Sequence, residues 1–207
     1  MMKKLVLLLL PVFCFSITYA GYENGGVITT YVGDVDCFGG LLEVKNGGAA
    51  DLLEMQNSSH LKVWSTSDLG YMGGIWDIRL LDHSHLDYYS GWTDELTLYN
   101  YATADLRGGR IDGISSFQYV GQIGRDWVDP HINIYALPGW SWTLDDNQKK
   151  VGITGQWWDS TPFDIHFTTN GESFGYDPVW ENINVIPEPA TLLLFVTGGL
   201  FVRRKRK

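Results

Sequence analysis

Apolar and polar residues alternate with a period of two at intervals along the chain. Leu42-Glu-Val-Lys, Leu53-Glu-Met-Gln, Leu61-Lys-Val-Trp and Ile78-Arg-Leu-Leu show it, followed by Leu96-Thr-Leu-Tyr, Ile132-Asn-Ile-Tyr and Phe163-Asp-Ile-His-Phe. This spacing puts alternate side chains on opposite faces of an extended segment, so each run predicts a short strand with one face buried. Asn46-Gly-Gly, Asn57-Ser-Ser, Gly73-Gly, Asp82-His-Ser and Gly108-Gly punctuate the runs as turns. No stretch between the two ends of the chain carries a sustained helical period with caps.

The runs also repeat. Gln56-Asn-Ser-Ser-His-Leu-Lys-Val aligns with Leu81-Asp-His-Ser-His-Leu-Asp-Tyr, and Tyr99-Asn-Tyr-Ala-Thr-Ala-Asp-Leu-Arg aligns more loosely. The alignment predicts that Leu61, Leu86 and Leu106 occupy equivalent positions. A unit of strand, polar corner, strand and Gly turn has the length of one coil of a parallel β-helix. The expected fold is therefore all-β, a short irregular parallel β-helix (solenoid), with an antiparallel β-sandwich or jelly roll as the alternative.

The two ends read differently. Lys3-Lys4 precede an apolar run, Leu5 to Ile17, too short for a membrane span, and Thr18-Tyr-Ala ends it with small residues. This predicts a signal peptide over residues 1–20, a signal helix cut after Ala20 by signal peptidase. At the other end Pro187-Glu188-Pro189 leads into an apolar stretch, Ala190 to Val202, and a basic cluster, Arg203 to Lys207. As a helix the stretch is about 20 Å long, marginal against a hydrocarbon core of about 30 Å. The basic tail predicts that this membrane helix keeps its end on the cytoplasmic side.

Val185-Ile-Pro-Glu-Pro-Ala-Thr-Leu-Leu-Leu, a Gly-Gly break and the Arg/Lys tail together resemble the PEP-CTERM sorting signal, over residues 185–207. The resemblance implies export, a transient anchor in the inner membrane, and processing by the membrane protease-transpeptidase exosortase, with delivery to the cell surface or medium of an exopolysaccharide-producing host. Segments of this kind also go under the name of the ice-binding protein C-terminal domain. Nothing in the body supports ice binding, since no regular Thr ladder appears. The stretch Asp82-His-Ser-His-Leu-Asp-Tyr-Tyr-Ser-Gly is similar to the repeats of some PEP-CTERM surface proteins. The run Val151 to Ile165 looks like their closing module. The implied organisation is a solenoid-like region over 21–136, an aromatic closing module over 137–184 and the sorting signal over 185–207.

Charge sharpens the picture of the body. The chain of 207 residues carries net −9, but seven of its 15 basic residues and only Glu188 of its 24 acidic ones lie in the two ends. The body thus holds 8 basic and 23 acidic residues, net −15. That excludes a nucleic-acid partner, which needs a basic face, and it invites Ca²⁺ as a bound cation. No other cofactor is expected. Of two Cys, Cys14 leaves with the signal peptide, so Cys37 is left buried or paired between molecules.

Candidate chemistry is sparse. Trp140, Trp142, Trp157 and Trp158 suit either a cap on the last coil or stacking against sugar rings, and alternation turns one of the adjacent pair Trp157 and Trp158 inward. His83 and His85, beside Asp82 and Asp87, have a spacing that metal sites use. Asp145 and Asp146 resemble a fragment of a calcium loop but also suit a turn. Asp126 and Asp129 flank Trp127 as an acid/base pair would. No Gly-x-Ser-x-Gly, phosphate-binding loop or Cys/His pair is present. The expected function is binding or organising extracellular polysaccharide without catalysis. The alternatives are a polysaccharide lyase or glycoside hydrolase, which would draw on Arg79, Arg107, Arg110 or Arg125, and a purely structural adhesin or spacer.

Overall fold

The computed structural model describes residues 21–66, 74–117, 130–168 and 178–187. Their strands, in chain order, are β1 (Gly25–Ile28), β2 (Tyr31–Cys37), β3 (Leu41–Val44), β4 (Ala49–Met55), β5 (His60–Val63), β6 (Ile75–Leu80), β7 (His85–Tyr88) and β8 (Trp92–Tyr99). β9 (Thr103–Leu106), β10 (Arg110–Phe117), β11 (His131–Ala136), β12 (Ser141–Leu144), β13 (Lys150–Gln156), β14 (Pro162–Phe167) and β15 (Ile183–Pro187) follow. The helical content of the described residues is the 3-10 turn Val179–Glu181. The signal helix and the C-terminal membrane helix expected from sequence lie outside the described residues.

Successive strands alternate between two sheets. Sheet A orders β1-β3-β5-β7-β9-β11-β15, and sheet B orders β12-β13-β14-β10-β8-β6-β4-β2. Through β11 every pairing is parallel. Antiparallel pairing is confined to β12, β13 and β14, so the sandwich alternative describes only these hairpins. β14 then runs parallel to β10, and β15 parallel to β11.

Parallel, in-register pairing stacks like on like. In sheet A, Leu42, Leu61, Leu86, Ala104 and Ile132 form one inward row, and Val44, Val63, Tyr88, Leu106 and Ile134 form the next. All ten are fully buried. Sheet B answers with Val35, Leu53, Ile78, Leu96 and Ile114, beside Cys37, Met55, Leu80 and Leu98. Each Leu, Ile or Val sealed between two rungs contributes about 1.5–3 kcal/mol relative to exposure. Every period-two run named above buries its predicted apolar members. One equivalence needs correcting: Leu106 stacks on Tyr88, and Ala104 takes the place over Leu86. Position in the coil counts from the corner, not from the nearest Leu. Cys37 is buried, its thiol donating to the Gly39 carbonyl, and burial pushes its pKa up.

Strands β4, β6, β8 and β10 of sheet B depart from period two in a shared way. Their inward residues fall three apart, as Ala50 and Leu53, Ile75 and Ile78, Thr93 and Leu96, Ile111 and Ile114. Two consecutive residues therefore turn outward on each strand, and the bends stack.

The corners are set by backbone conformation. Asn57, Asp82 and Asn100 each open a turn at φ of 55°, 56° and 53°, a left-handed conformation that Asn and Asp tolerate best after Gly. The same turn bond closes each corner, from Ser59, Ser84 and Ala102 back to Gln56, Leu81 and Tyr99. On the opposite corner Gly91 sits at φ 114°, where an added Cβ would lie 2.5 Å from Thr66 Oγ1. That hydroxyl already accepts from the Trp92 amide at 2.6 Å. Gly91→Ala should cost about 2–4 kcal/mol, combining backbone strain with overpacking. Gly139→Ala, at φ 107° with open space around it, should lose only the strain of about 1–2 kcal/mol. Urea unfolding of the two variants checks the difference.

Candidate functional site

The stacked bends of sheet B place Asp51, Trp76, Asp94 and Asp112 at one register on four neighbouring strands. Asp77 and Glu95 follow in the adjacent row. The result is a seam of carboxylates interrupted by tryptophan. Trp76 is 37% exposed. It meets Trp92 edge to face, with ring centroids 6.2 Å apart and planes at 75°, so the pair itself covers one ring face of the two. Trp92 is held by its indole N–H, which donates to Asp112 Oδ2 at 2.9 Å. Arg110 grips the same carboxylate with Nε at 2.7 Å and Nη2 at 3.0 Å. At the far end Tyr31 donates to Asp51 at 2.6 Å, a bond that raises the phenol's pKa. Asp77 has a raised pKa because burial disfavours its charge, which Arg79 only partly offsets.

The seam ends in a cleft. β10 and β14 pair only at Gly113 with His166 and Ile114 with Phe167. Towards their N-terminal ends they part, while β14 stays paired with β13 along its other edge. The opening has a volume of about 550 Å³ and is lined by Arg110, Asp112, Thr154, Phe163, Asp164 and His166, among others. Gly109, which also lines it, is held by the fully buried Trp157, whose indole N–H donates to the Gly109 carbonyl at 2.8 Å. This arrangement can receive hydroxyl groups on its carboxylates and an apolar ring face on tryptophan.

The outer face of sheet A carries a different set. Glu43, Lys62, Asp87, Asp105, Asn133 and Asn184 stack in one row. Hydrogen bonds from Lys45 and Trp64 hold the Glu43 carboxyl below its usual range. Beside this row Trp64 lies flat on Tyr89, at 4.3 Å and 3°, and Arg107 sits 4.0 Å from the Tyr135 ring centroid. These rings cover one another's faces. At the other end of the same strands His60 pairs with His85 in register. Asp87 lies against both imidazoles, and the three donor atoms fall within 4.8 Å of one another.

The structure redistributes the residues singled out from sequence. Trp157 is core and is thereby corrected as a glycan contact, while Trp158, 57% exposed, is the outward member of the pair. Trp140 and Trp142 meet edge to face at 5.3 Å and pack half-buried on the core. His83 does not join His85: it stacks on Tyr101 at the corner, at 4.6 Å and 5°. The corner and strand residues point apart, and the histidine that pairs with His85 is His60, on the neighbouring strand β5. The Ser-His-Leu alignment contained that pairing. Asp145 Oδ1 accepts from the Asn147 and Lys149 amides, which is the turn; the Asp145–Asp146 calcium expectation finds its first carboxylate already engaged. Arg79, Arg107 and Arg110 each pair with an Asp two residues before or after them, Arg79 and Arg110 on sheet B and Arg107 beside sheet A. Pro187 ends β15. Ala20, Glu188, Pro189, Arg125, Asp126 and Asp129 lie outside the described residues. The seam and cleft escaped sequence analysis because the bend breaks the period-two pattern there. The signal was present as Asp or Trp midway between two inward residues three apart.

No helix among the described residues is long and apolar enough to cross a membrane. A model of the PEP-CTERM protein-sorting motif matches residues 185–207. No curated protein and no solved structure matches the chain.

Proposed function

We propose that this chain, which carries a PEP-CTERM protein-sorting motif and is thereby an exosortase-sorted extracellular or surface protein, binds extracellular polysaccharide along the sheet B seam without cleaving it. The alternation of strands between two parallel sheets is read as a short β-solenoid, whose stacked coils offer a repeating surface to a repeating polymer. A signal peptide and a transient inner-membrane anchor deliver the body outside. The observation that carries the reading is the exposed Trp76 among in-register carboxylates, in a seam whose last member, Asp112, lines a cleft. Sugar rings stack their apolar faces on indole, and carboxylates accept hydroxyl hydrogen bonds at about twice the strength of neutral acceptors. A body at net −15 repels polyanions, so the favoured ligand is a neutral or amino-sugar polymer.

Trp76→Ala should weaken binding to such a polymer by about tenfold, the loss of one stacking contact of about 1.4 kcal/mol. Affinity electrophoresis against neutral, amino-sugar and uronate polymers is the measurement. Retention of the mobility shift in Trp76→Ala, with its loss in Trp158→Ala, would move the site to the hairpins. No shift of the wild-type chain with any polymer would leave the structural-spacer alternative. The hydrolytic alternative rests on Asp112, Asp164 and His166 sharing the cleft, and release of reducing ends from a bound polymer would establish it.

A further inference from the structure

The geometry points to a binding site for a borderline divalent transition cation, of the Zn²⁺ class, formed by His60, His85 and Asp87 on the outer face of sheet A. In-register parallel pairing puts the two histidines opposite one another, with ring centroids 4.8 Å apart. Both side chains are about one-third exposed, at 34% and 33%, whereas the Asp87 side chain is 12% exposed. His60 Nε2 lies 2.9 Å from Asp87 Oδ2, and His85 Nε2 lies 3.7 Å from Asp87 Oδ1. Ligand bonds of about 2.0–2.2 Å in tetrahedral geometry need donors about 3.3 Å apart. The two His–Asp separations bracket that value, and with all three donor atoms within 4.8 Å of one another, rotation of the two imidazoles closes the set on one ion.

The surroundings set the chemistry. His85 Nδ1 is 2.7 Å from Thr103 Oγ1. With the proton on Nδ1, donated to that hydroxyl, Nε2 turns a lone pair towards a carboxylate. Two electron-rich atoms facing each other call for a cation between them. A hydrogen bond from the far ring nitrogen is also how metal-binding histidines are oriented. Lys62 and Arg107 come within 3.9 and 3.8 Å of the Asp87 oxygens, which is beyond hydrogen-bonding reach. They balance the carboxylate's charge without occupying the lone pairs that the imidazoles face. Two nitrogens and one oxygen suit Zn²⁺, Ni²⁺ or Cu²⁺ and fall short of the six to eight oxygens that Ca²⁺ takes. Three protein ligands leave a fourth position open to water or another small donor.

The probe is Zn²⁺ itself, titrated into the untagged, chelator-stripped full-length chain in competition with a chromophoric chelator. One equivalent should bind. His60→Gln and His85→Gln should each weaken it at least about tenfold, and Thr103→Val should do so by about tenfold through loss of the orienting bond. His83→Gln should leave it unchanged. Lys62→Gln should tighten binding by removing a competing charge, a gain that no misfolded variant would produce. Wild-type binding no tighter than that of His60→Gln would overturn the site and leave a simple His–Asp ion pair. So would equal loss in His83→Gln, or no gain in Lys62→Gln. Polysaccharide binding at the seam on sheet B is read separately by Trp76→Ala, so either result stands without the other.

Discussion

Leu86→Asp should abolish the cooperative melt of the protein at neutral pH. Leu86 is fully buried between Leu61 and Ala104 in a row that runs across successive parallel strands of sheet A. Removing its side chain costs about 2–5 kcal/mol. An unpaired carboxylate in its place adds about 3–5 kcal/mol, since no cationic group lies among the core residues around it. The sum reaches the whole stability of an ordinary domain, about 5–15 kcal/mol. The buried carboxyl would have its pKa raised above the unfolded value, so its penalty falls as pH drops and it becomes neutral. Circular dichroism melts at neutral and acidic pH read both effects. A neutral-pH transition within a few degrees of wild type would mean that the row is not a continuous core.

Trp157→Ala should cost about 3–5 kcal/mol, and its neighbour Trp158→Ala no more than about 0.5 kcal/mol. Trp157 is fully buried, 4.4 Å from the Phe163 ring, and donates to the Gly109 carbonyl of the stack. Its backbone also bridges Ala136. The residue therefore ties the hairpins to the β9–β10 turn through its side chain and to β11 through its backbone, and loss of the side chain leaves a cavity and an unpaired carbonyl. Trp158 makes no such tie. Guanidinium unfolding monitored by circular dichroism compares them, and equal costs would mean that the hairpins dock through some other contact.

Much of the strand content was legible because burial on one face writes itself into a period of two. Leu61 and Val63, or Ile132 and Ile134, could be placed inward from the chain alone. The corner motif was legible too, since Asn57, Asp82 and Asn100 adopt a conformation that few other residues tolerate. Long-range placement was harder. Whether Leu106 lay over Leu86 or Tyr88 depended on a register that only the stacked corner fixes. His83 and His85 lie two apart in sequence, yet parallel pairing of β5 with β7 made His60 the true neighbour. Which of Trp157 and Trp158 faced inward depended on where β13 ended. The seam stayed hidden because a bend shared by β4, β6, β8 and β10 cancels the alternation just where Asp51, Trp76 and Asp112 sit.

β15 ends at Pro187, paired with Ala136, and Pro187 is also the first residue of the Pro-Glu-Pro motif. Folded body and sorting signal therefore meet without a leash. Sheet A strands all point the same way, so the chain leaves the body at the border where Trp64, Tyr89 and Arg107 follow their strands. His60 and His85 open theirs at the opposite border. Strand polarity thus acts as a compass: Pro187 ends at the aromatic border of the body, and the histidines open their strands at the opposite one.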